Sequence, residues 1–471
     1  MHRPYMFSLA AALAALPITS HPAAPQSTAA AIERVSLSRQ VVDPSARTFW
    51  EVLNDTTLDR LMAQALRGNL ELRAAAARQD GAGAARTQAA LELVPSISAS
   101  AGYTRRRLST ASFPGAGTGT LPDQDVWNSG LTASWEVDVF GRLRGGLRAQ
   151  NALLGAADED VRDAQVELAA AVASTYFDLR GAQNQLAVAR RNADNQRRTL
   201  ELTQTRLDAG RGTAFDVERA RAQLSFTLAA IPAIEANVAA AQYRIAVLIG
   251  RAPQDVAAEL AADMPLPELP QDVPAVDPAA TVRMRPDVRS AQDRVAASRA
   301  LVSSARADYL PRLNLAANAG YLTNAFDSFG NSGTFNYTFG PVISWPAFDI
   351  GRVKARVDQA RARELEANAY YDQTLLRAAE ELEAATVRYR SAQARLDHLR
   401  EAAVASERAA SLANLRYEGG IADFLQVLDA ERTLLAAQDQ LAQAQTQAAE
   451  AYVALFKARG ASWPVAGRSR R

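Results

Sequence analysis

Three histidines, no cysteine and carboxylates threaded among arginines are the groups in this 471-residue chain that could support catalysis or metal binding. Without a thiol there is no disulfide, thiolate metal site or cysteine nucleophile. His2 and His21 fall in an apolar, proline-punctuated leader, so His398 stands alone and a histidine-built centre is excluded. The Asp and Glu residues lie mainly in helical patterns, spaced for i,i+4 pairing with Arg on a solvated face. No nucleophile–base pairing, phosphate loop or metal-ligand spacing appears, so the expectation is a protein that is not an enzyme and uses no cofactor. Basic and acidic totals of 52 and 51 leave a net charge of +1 and give no reason to expect nucleic acid as a partner.

The residues with informative spacing are of another kind. Gly210, Arg211 and Gly212 form one short turn, and Gly419 and Gly420 another, each between long helical patterns. Tyr103, Trp135, Tyr321, Phe335 and Trp345 stand near the ends or along the apolar side of short alternating stretches. The elements that hold these residues are written twice, at an offset of about 210 residues. The run from Arg206 to Gly210 matches that from Arg416 to Gly420, Val217 and Ala220 match Val427 and Ala430, Trp135 matches Trp345, and Gly141-Arg142 matches Gly351-Arg352. The expected division is a leader (1–25), a first repeat (40–263), a Pro-rich linker (264–277), a second repeat (278–459) and a tail (460–471).

Each repeat reads as a helix (57–93; 278–309), two strands, a very long helix (143–208; 353–418), a glycine turn and a last helix (214–249; 423–458). At about 1.5 Å per residue each long helix spans on the order of 100 Å, more than a compact domain needs. Apolar or small residues recur every seven positions: Leu179, Leu186, Ala193, Leu200 and Leu207, then Leu375, Leu382, Tyr389, Leu396, Ala403, Ala410 and Tyr417. That repeat marks helices that wind around neighbours.

The strands decide what the helices serve. Ile97, Ala99, Ala101 and Tyr103 alternate with small polar residues, and so do Leu131, Ala133, Trp135 and Val137. Leu313, Leu315, Ala317, Ala319 and Tyr321, and Phe335, Tyr337, Phe339, Ile343 and Trp345, repeat the pattern in the second half. Period two over about ten residues is what a tilted strand needs to cross a bilayer, with the apolar side to lipid and aromatic residues at the interfaces. The Gly/Ser/Thr-rich stretches 109–124 and 324–334 suit the longer outside loops of such barrels. Four strands cannot close a barrel, and open edges are not tolerated in lipid, so several copies must share one wall. Two copies give eight strands and an interior filled by side chains; a conducting pore favours more.

At the N-terminus His2 and Arg3 precede the apolar run from Tyr5 to Ile18, the pattern of a secretory signal cleaved near residues 20–31. No later run approaches 18 consecutive apolar residues, so membrane crossing is expected from strands alone.

On the tandem repeat, on Leu248-Ile249-Gly250-Arg251-Ala252-Pro253 and on the run from Arg416 to Arg432, nearly the whole chain from Phe49 to Arg459 resembles the TolC and OprM family of outer-membrane efflux channels, closest to its OprM-like branch. The resemblance implies an α+β membrane protein: a homotrimer with a twelve-stranded transmembrane β-barrel, four strands per chain, continued by a long α-helical barrel. It also implies an equatorial belt from residues 41–55 and 250–278 and the C-terminal tail. Implied partners are outer-membrane lipid, a periplasmic adaptor (membrane fusion protein) and an inner-membrane pump of the RND type. The chain would be a passive duct for drugs or other small molecules in the outer membrane, extending into the periplasm. Leu425, Asp429 and Tyr417 match positions that close the periplasmic mouth, and the tips at Gly210, Arg211, Gly212, Gly419 and Gly420 match those that meet the adaptor. Ala422 and Gln426 replace a basic and an acidic residue of the TolC-like pattern, which leaves a single acidic ring at Asp429. The missing N-terminal cysteine departs from the lipid-anchored members of the branch. The alternatives are the outer-membrane duct of a type I protein secretion system and a periplasmic coiled-coil scaffold.

Overall fold

A computed structural model describes residues 49–108, 122–262, 264–270 and 277–460; the leader, most of the 109–124 loop and the tail lie outside the described residues. The helices are α1 (Thr56–Gly68), α2 (Leu70–Leu91), α3 (Arg142–Asp208), α4 (Ala214–Leu248), α5 (Gln254–Ala257), α6 (Pro278–Met284), α7 (Pro286–Ala307), α8 (Ile350–Glu418) and α9 (Phe424–Ala458). The strands are β1 (Ser96–Arg106), β2 (Gln124–Val137), β3 (Arg312–Thr323) and β4 (Phe335–Ser344). The order α1-α2-β1-β2-α3-α4 therefore recurs as α6-α7-β3-β4-α8-α9.

The first helix of each repeat is broken where a continuous one was expected, and the two breaks work alike. Asn69 has an extended backbone, its carboxamide oxygen accepts from the Leu72 N–H at 2.8 Å, and its Nδ2 donates to the Leu248 carbonyl at 2.9 Å. Arg285 is extended because Pro286 follows it. Its guanidinium donates to the Ala458 carbonyl at 3.1 Å and pairs with Asp287 and Glu381. Each break thus ties its repeat's first helix to the carbonyl end of its last.

The long helices α3 and α8 run 67 and 69 residues. In α8 the seven-residue positions Leu382, Tyr389, Leu396, Ala403, Ala410 and Tyr417 are all buried; in α3 Leu179, Leu186 and Ala193 are. Helix α8 packs along α7 above and α9 below, α3 packs along α2, α7, α4 and α9, and the α3–α7 and α3–α9 contacts join the repeats. At mid-height the segment after α5 seals onto α3: buried Arg180 donates to the Ala262 carbonyl at 2.7 Å and Gln183 to the Leu260 carbonyl at 2.9 Å. The Tyr389 hydroxyl on α8 donates to the Pro270 carbonyl. Among the described residues α4 is the one helix long and apolar enough to cross a membrane, although it holds no run of 18 consecutive apolar residues. Polar residues such as Gln223 and Glu235 interrupt it, and it packs lengthwise on α3.

Candidate functional site

The four strands form one antiparallel sheet in the order β1-β2-β3-β4. The register decides what its faces are. Ala99 pairs with Leu131, Leu131 with Ala319, and Ala319 with Tyr337; Ile97, Ala133, Ala317 and Phe339 form the adjacent row. Because alternate side chains point to opposite faces, every apolar set read from the sequence lies on a single face. Ile97, Tyr337, Phe339 and Ile343 are each more than 70% exposed on it. The other face carries Ser98, Ser100, Asn128, Thr132, Asn318 and Thr338, and Asn318 donates to the Thr132 hydroxyl at 3.1 Å. Among the described residues the outer edges of β1 and β4 have no strand partner.

The aromatic residues divide between the ends of this sheet. At the loop end Tyr103 packs on Trp127 (4.4 Å between ring centroids), Trp127 on Phe326 (4.8 Å), and Tyr321 on Phe335 (5.6 Å). At the helix end the Trp135 indole donates to the Leu93 carbonyl at 2.9 Å, and its repeat mate Trp345 to the Tyr309 carbonyl at 3.0 Å. Trp127 and Trp135 share a face eight residues apart, about 26 Å at ~3.3 Å per residue, close to the ~25 Å apolar band of membrane barrels. Sequence reading missed Trp127 and Phe326. Trp127 continues the odd-numbered period from Leu131, whereas nothing local marks the contact of Phe326 with it.

At the far end of the long helices the two glycine turns share one geometry. Gly210 and Gly420 have φ of 70° and 73°, and the N–H groups of Arg211 and Ile421 return to the Arg206 and Arg416 carbonyls at 2.8 and 2.9 Å. This is the left-handed C-cap that favours glycine. Gly212 and Gly419 are not in that region; Gly419, with φ of −71°, is a helical C-cap, so positive φ occurs at one glycine per turn. Thr213 and Asp423 then cap α4 and α9 by accepting from the Asp216 and Gln426 N–H groups.

The three residues matched to a closing network are not brought together within one chain. Leu425 and Asp429, one turn apart on α9, are exposed, opposite buried Phe424, Val427 and Leu428. Tyr417 is 5% exposed, in a cluster with Phe424, Val427, Leu428 and Ala220. The Arg206 guanidinium lies 4.1 Å over its ring and donates to the Tyr417 and Glu418 carbonyls. Sequence reading used Arg206 only as a repeat marker; its role depends on a neighbour 211 positions away. Above the tips, burial pushes the Glu431 carboxyl up, while hydrogen bonds from Thr199 and Asn414 pull it down. A groove of about 550 Å³ between α3, α8 and α9 is lined there by Gln196, Thr199, Asn414 and Glu431. No grouping of three or more metal-ligating side chains occurs among the described residues.

Comparison with known proteins matches this arrangement throughout. The family model described as outer membrane efflux protein matches residues 61–251 and 280–461. The pyoverdine export outer membrane protein OpmQ of Pseudomonas aeruginosa is 31% identical over 422 residues, 88% of each chain. The toluene efflux pump outer membrane protein TtgF of Pseudomonas putida is 30% identical over 441 residues, 93% of this chain and 90% of that one. Among solved structures, the outer-membrane channel OprN superposes with a TM-score of 0.84 at 37% identity, covering 90% of this chain and 95% of its own. The outer membrane protein VceC of Vibrio cholerae does so with 0.80 at 27%, covering 88% and 98%.

Proposed function

The chain belongs to the outer membrane efflux protein family, and from that we propose that three copies close one passive exit duct for small molecules. It is an outer-membrane efflux channel that extends into the periplasm. The observation that carries the proposal is the four-stranded sheet with one face that is mainly apolar between its ends and two edges without a strand partner among the described residues. Such a sheet is untenable alone in lipid, because each unpaired backbone group there costs several kcal/mol. Pairing β4 of one copy with β1 of the next satisfies both edges, and three copies give twelve strands around a water-filled lumen walled by Ser, Thr and Asn. The long helices then continue the barrel as a tube, and the exposed apolar residues of α4 and α8, such as Phe226 and Leu412, become contacts between copies.

In this reading the glycine turns are the periplasmic tips. Exposed Gly210, Arg211, Gly419 and Gly420, with half-buried Gly212, form the surface offered to the helical hairpin of a periplasmic adaptor, which links the channel to an inner-membrane pump of the RND type. Leu425 and Asp429 face the axis and narrow it; Tyr417 acts from inside the chain by holding the two tips together. The channel itself catalyses nothing and binds no cofactor. The link of OpmQ to pyoverdine export and of TtgF to a toluene efflux pump supports small-molecule cargo. The test is twofold: deletion of the gene should raise cellular accumulation of efflux dyes, and purified protein should conduct ions in planar bilayers. Normal dye efflux together with failure of only a secreted protein to leave the cell would assign the duct to protein secretion.

A further inference from the structure

Above the glycine turns, one polar side chain is buried without a bond. Gln196 on α3 is 4% exposed, and neither its amide oxygen nor its amide nitrogen has a hydrogen-bond partner among the described residues. Leaving such a group unsatisfied costs about 1–3 kcal/mol. Gln196 lines the groove of about 550 Å³ between α3, α8 and α9. It precedes the Asp208 end of α3 by three turns, about 18 Å at 1.5 Å per residue, so the groove stands apart from the tips. Its volume suits a small organic molecule.

The charge of the lining narrows what that molecule is. The carboxylates of Glu407, Glu418 and Glu431 face the single guanidinium of Arg198, and none of the three has an ion pair among the described residues. Glu407 also borders an adjoining groove that holds Arg191 and Arg400, so the negative end is the lower one. There Thr199 donates to Glu431 at 2.9 Å, Asn414 bonds the same carboxyl, and Glu418 follows Asn414 by one turn of α8. This field repels an anion, and no third metal-ligating side chain joins the pair. A bare ammonium supplies no acceptor for the Gln196 amide nitrogen, whereas a hydroxyl both donates and accepts. We propose that the groove binds a small hydroxylated organic cation, its ammonium at Glu418 and Glu431 and a hydroxyl on the Gln196 amide. No bond holds that amide in place, so rotation about its own side-chain bonds brings it to the ligand. Leu434 and Leu435 meet the ligand's carbons. The bound cation bridges α3 of the first repeat to α8 and α9 of the second, and offsets the burial that pushes the Glu431 carboxyl up.

The probe is streptamine, a ring that carries both ammonium groups and hydroxyls. Cadaverine has the charge without the hydroxyls, and inositol the hydroxyls without the charge. Calorimetry on the full-length protein in detergent, at neutral pH and fixed ionic strength, should show streptamine bound roughly tenfold more tightly than either, the worth of one charge-assisted hydrogen bond. Streptamine alone should raise the Tm. Gln196→Leu removes the unsatisfied amide, so it should fold with no loss of Tm and bind streptamine roughly tenfold more weakly. Glu431→Gln should weaken binding to a similar degree; Glu418→Gln, at an exposed side chain, serves if Glu431→Gln does not fold. Absence of streptamine binding, or equal binding of the three compounds, would overturn the inference. So would an affinity unchanged both in Gln196→Leu and in the glutamine variant that folds. The groove is built by one chain, so these outcomes are separate from the number of copies in the particle and from its conductance.

Discussion

Asn318 on β3 donates its side-chain amide to the Thr132 hydroxyl on β2 at 3.1 Å, on the face of the sheet opposite the Leu131 side chain. Two adjacent residues of one strand therefore report on two environments. Leu131→Arg puts a guanidinium near the middle of the lipid-facing band and should cost roughly 2–4 kcal/mol, seen as lost assembly into the outer membrane. Thr132→Arg points into the lumen and should leave assembly intact while lowering cation conductance. Equal assembly of the two variants would show that the apolar face does not meet lipid.

Leu425 and Asp429 share an exposed face of α9 one turn apart. If they narrow the axis, Leu425→Ala with Asp429→Ala should raise single-channel conductance in planar bilayers several-fold. Tyr417→Phe keeps the buried ring and should change conductance little. An unchanged conductance in the double variant would remove both residues from the gate.

Helices α3 and α9 touch at Gly181 and Thr446, where a Cβ on Gly181 would run into the Thr446 hydroxyl. Gly181→Ala should destabilise the fold by about 1–3 kcal/mol through overpacking, read as a lower Tm in detergent. Adding Thr446→Ala should recover most of that loss. A Tm unaffected by Gly181→Ala would mean that the repeats do not depend on this close approach.

Burial pushes the Asp163 carboxyl on α3 up to about 6 from 3.8; Asp287, Glu167 and Asp160 add to the rise and Arg285 opposes it. A carboxyl raised on folding holds its proton more tightly in the folded state. Its penalty is therefore absent below about pH 4, grows as pH rises towards 6, and is complete above that. Asp163→Asn should stabilise the protein at pH 7.5 by on the order of 1–2 kcal/mol, after discounting for partial solvent screening. It should leave stability at pH 4 unchanged. An equal change at both pH values would trace the effect to packing.

The features legible in the sequence were those set by local periodicity. The strand pattern placed Ile97, Leu131, Leu313 and Phe339 on one face before any register was known, and the seven-residue spacing located the α8 seam from Leu382 to Tyr417. The glycine turns were evident because a left-handed cap selects for glycine. Long-range contacts were not legible. Asn69 and Arg285 break their helices to reach carbonyls far along the chain, and neither side chain announces that partner. Tyr417, matched to a closing network, is turned inward by Arg206 and Phe424. The division of the aromatic residues between two ends likewise required the register and the indole bonds of Trp135 and Trp345.

The shared barrel is tested most directly by the protein mass of the detergent-solubilised particle, measured by light scattering with the detergent contribution subtracted. Three chains per particle, with the β-sheet signal retained in circular dichroism, is the predicted result. A stable single chain that keeps its β-sheet signal would show that four strands need no neighbours, and would contradict it.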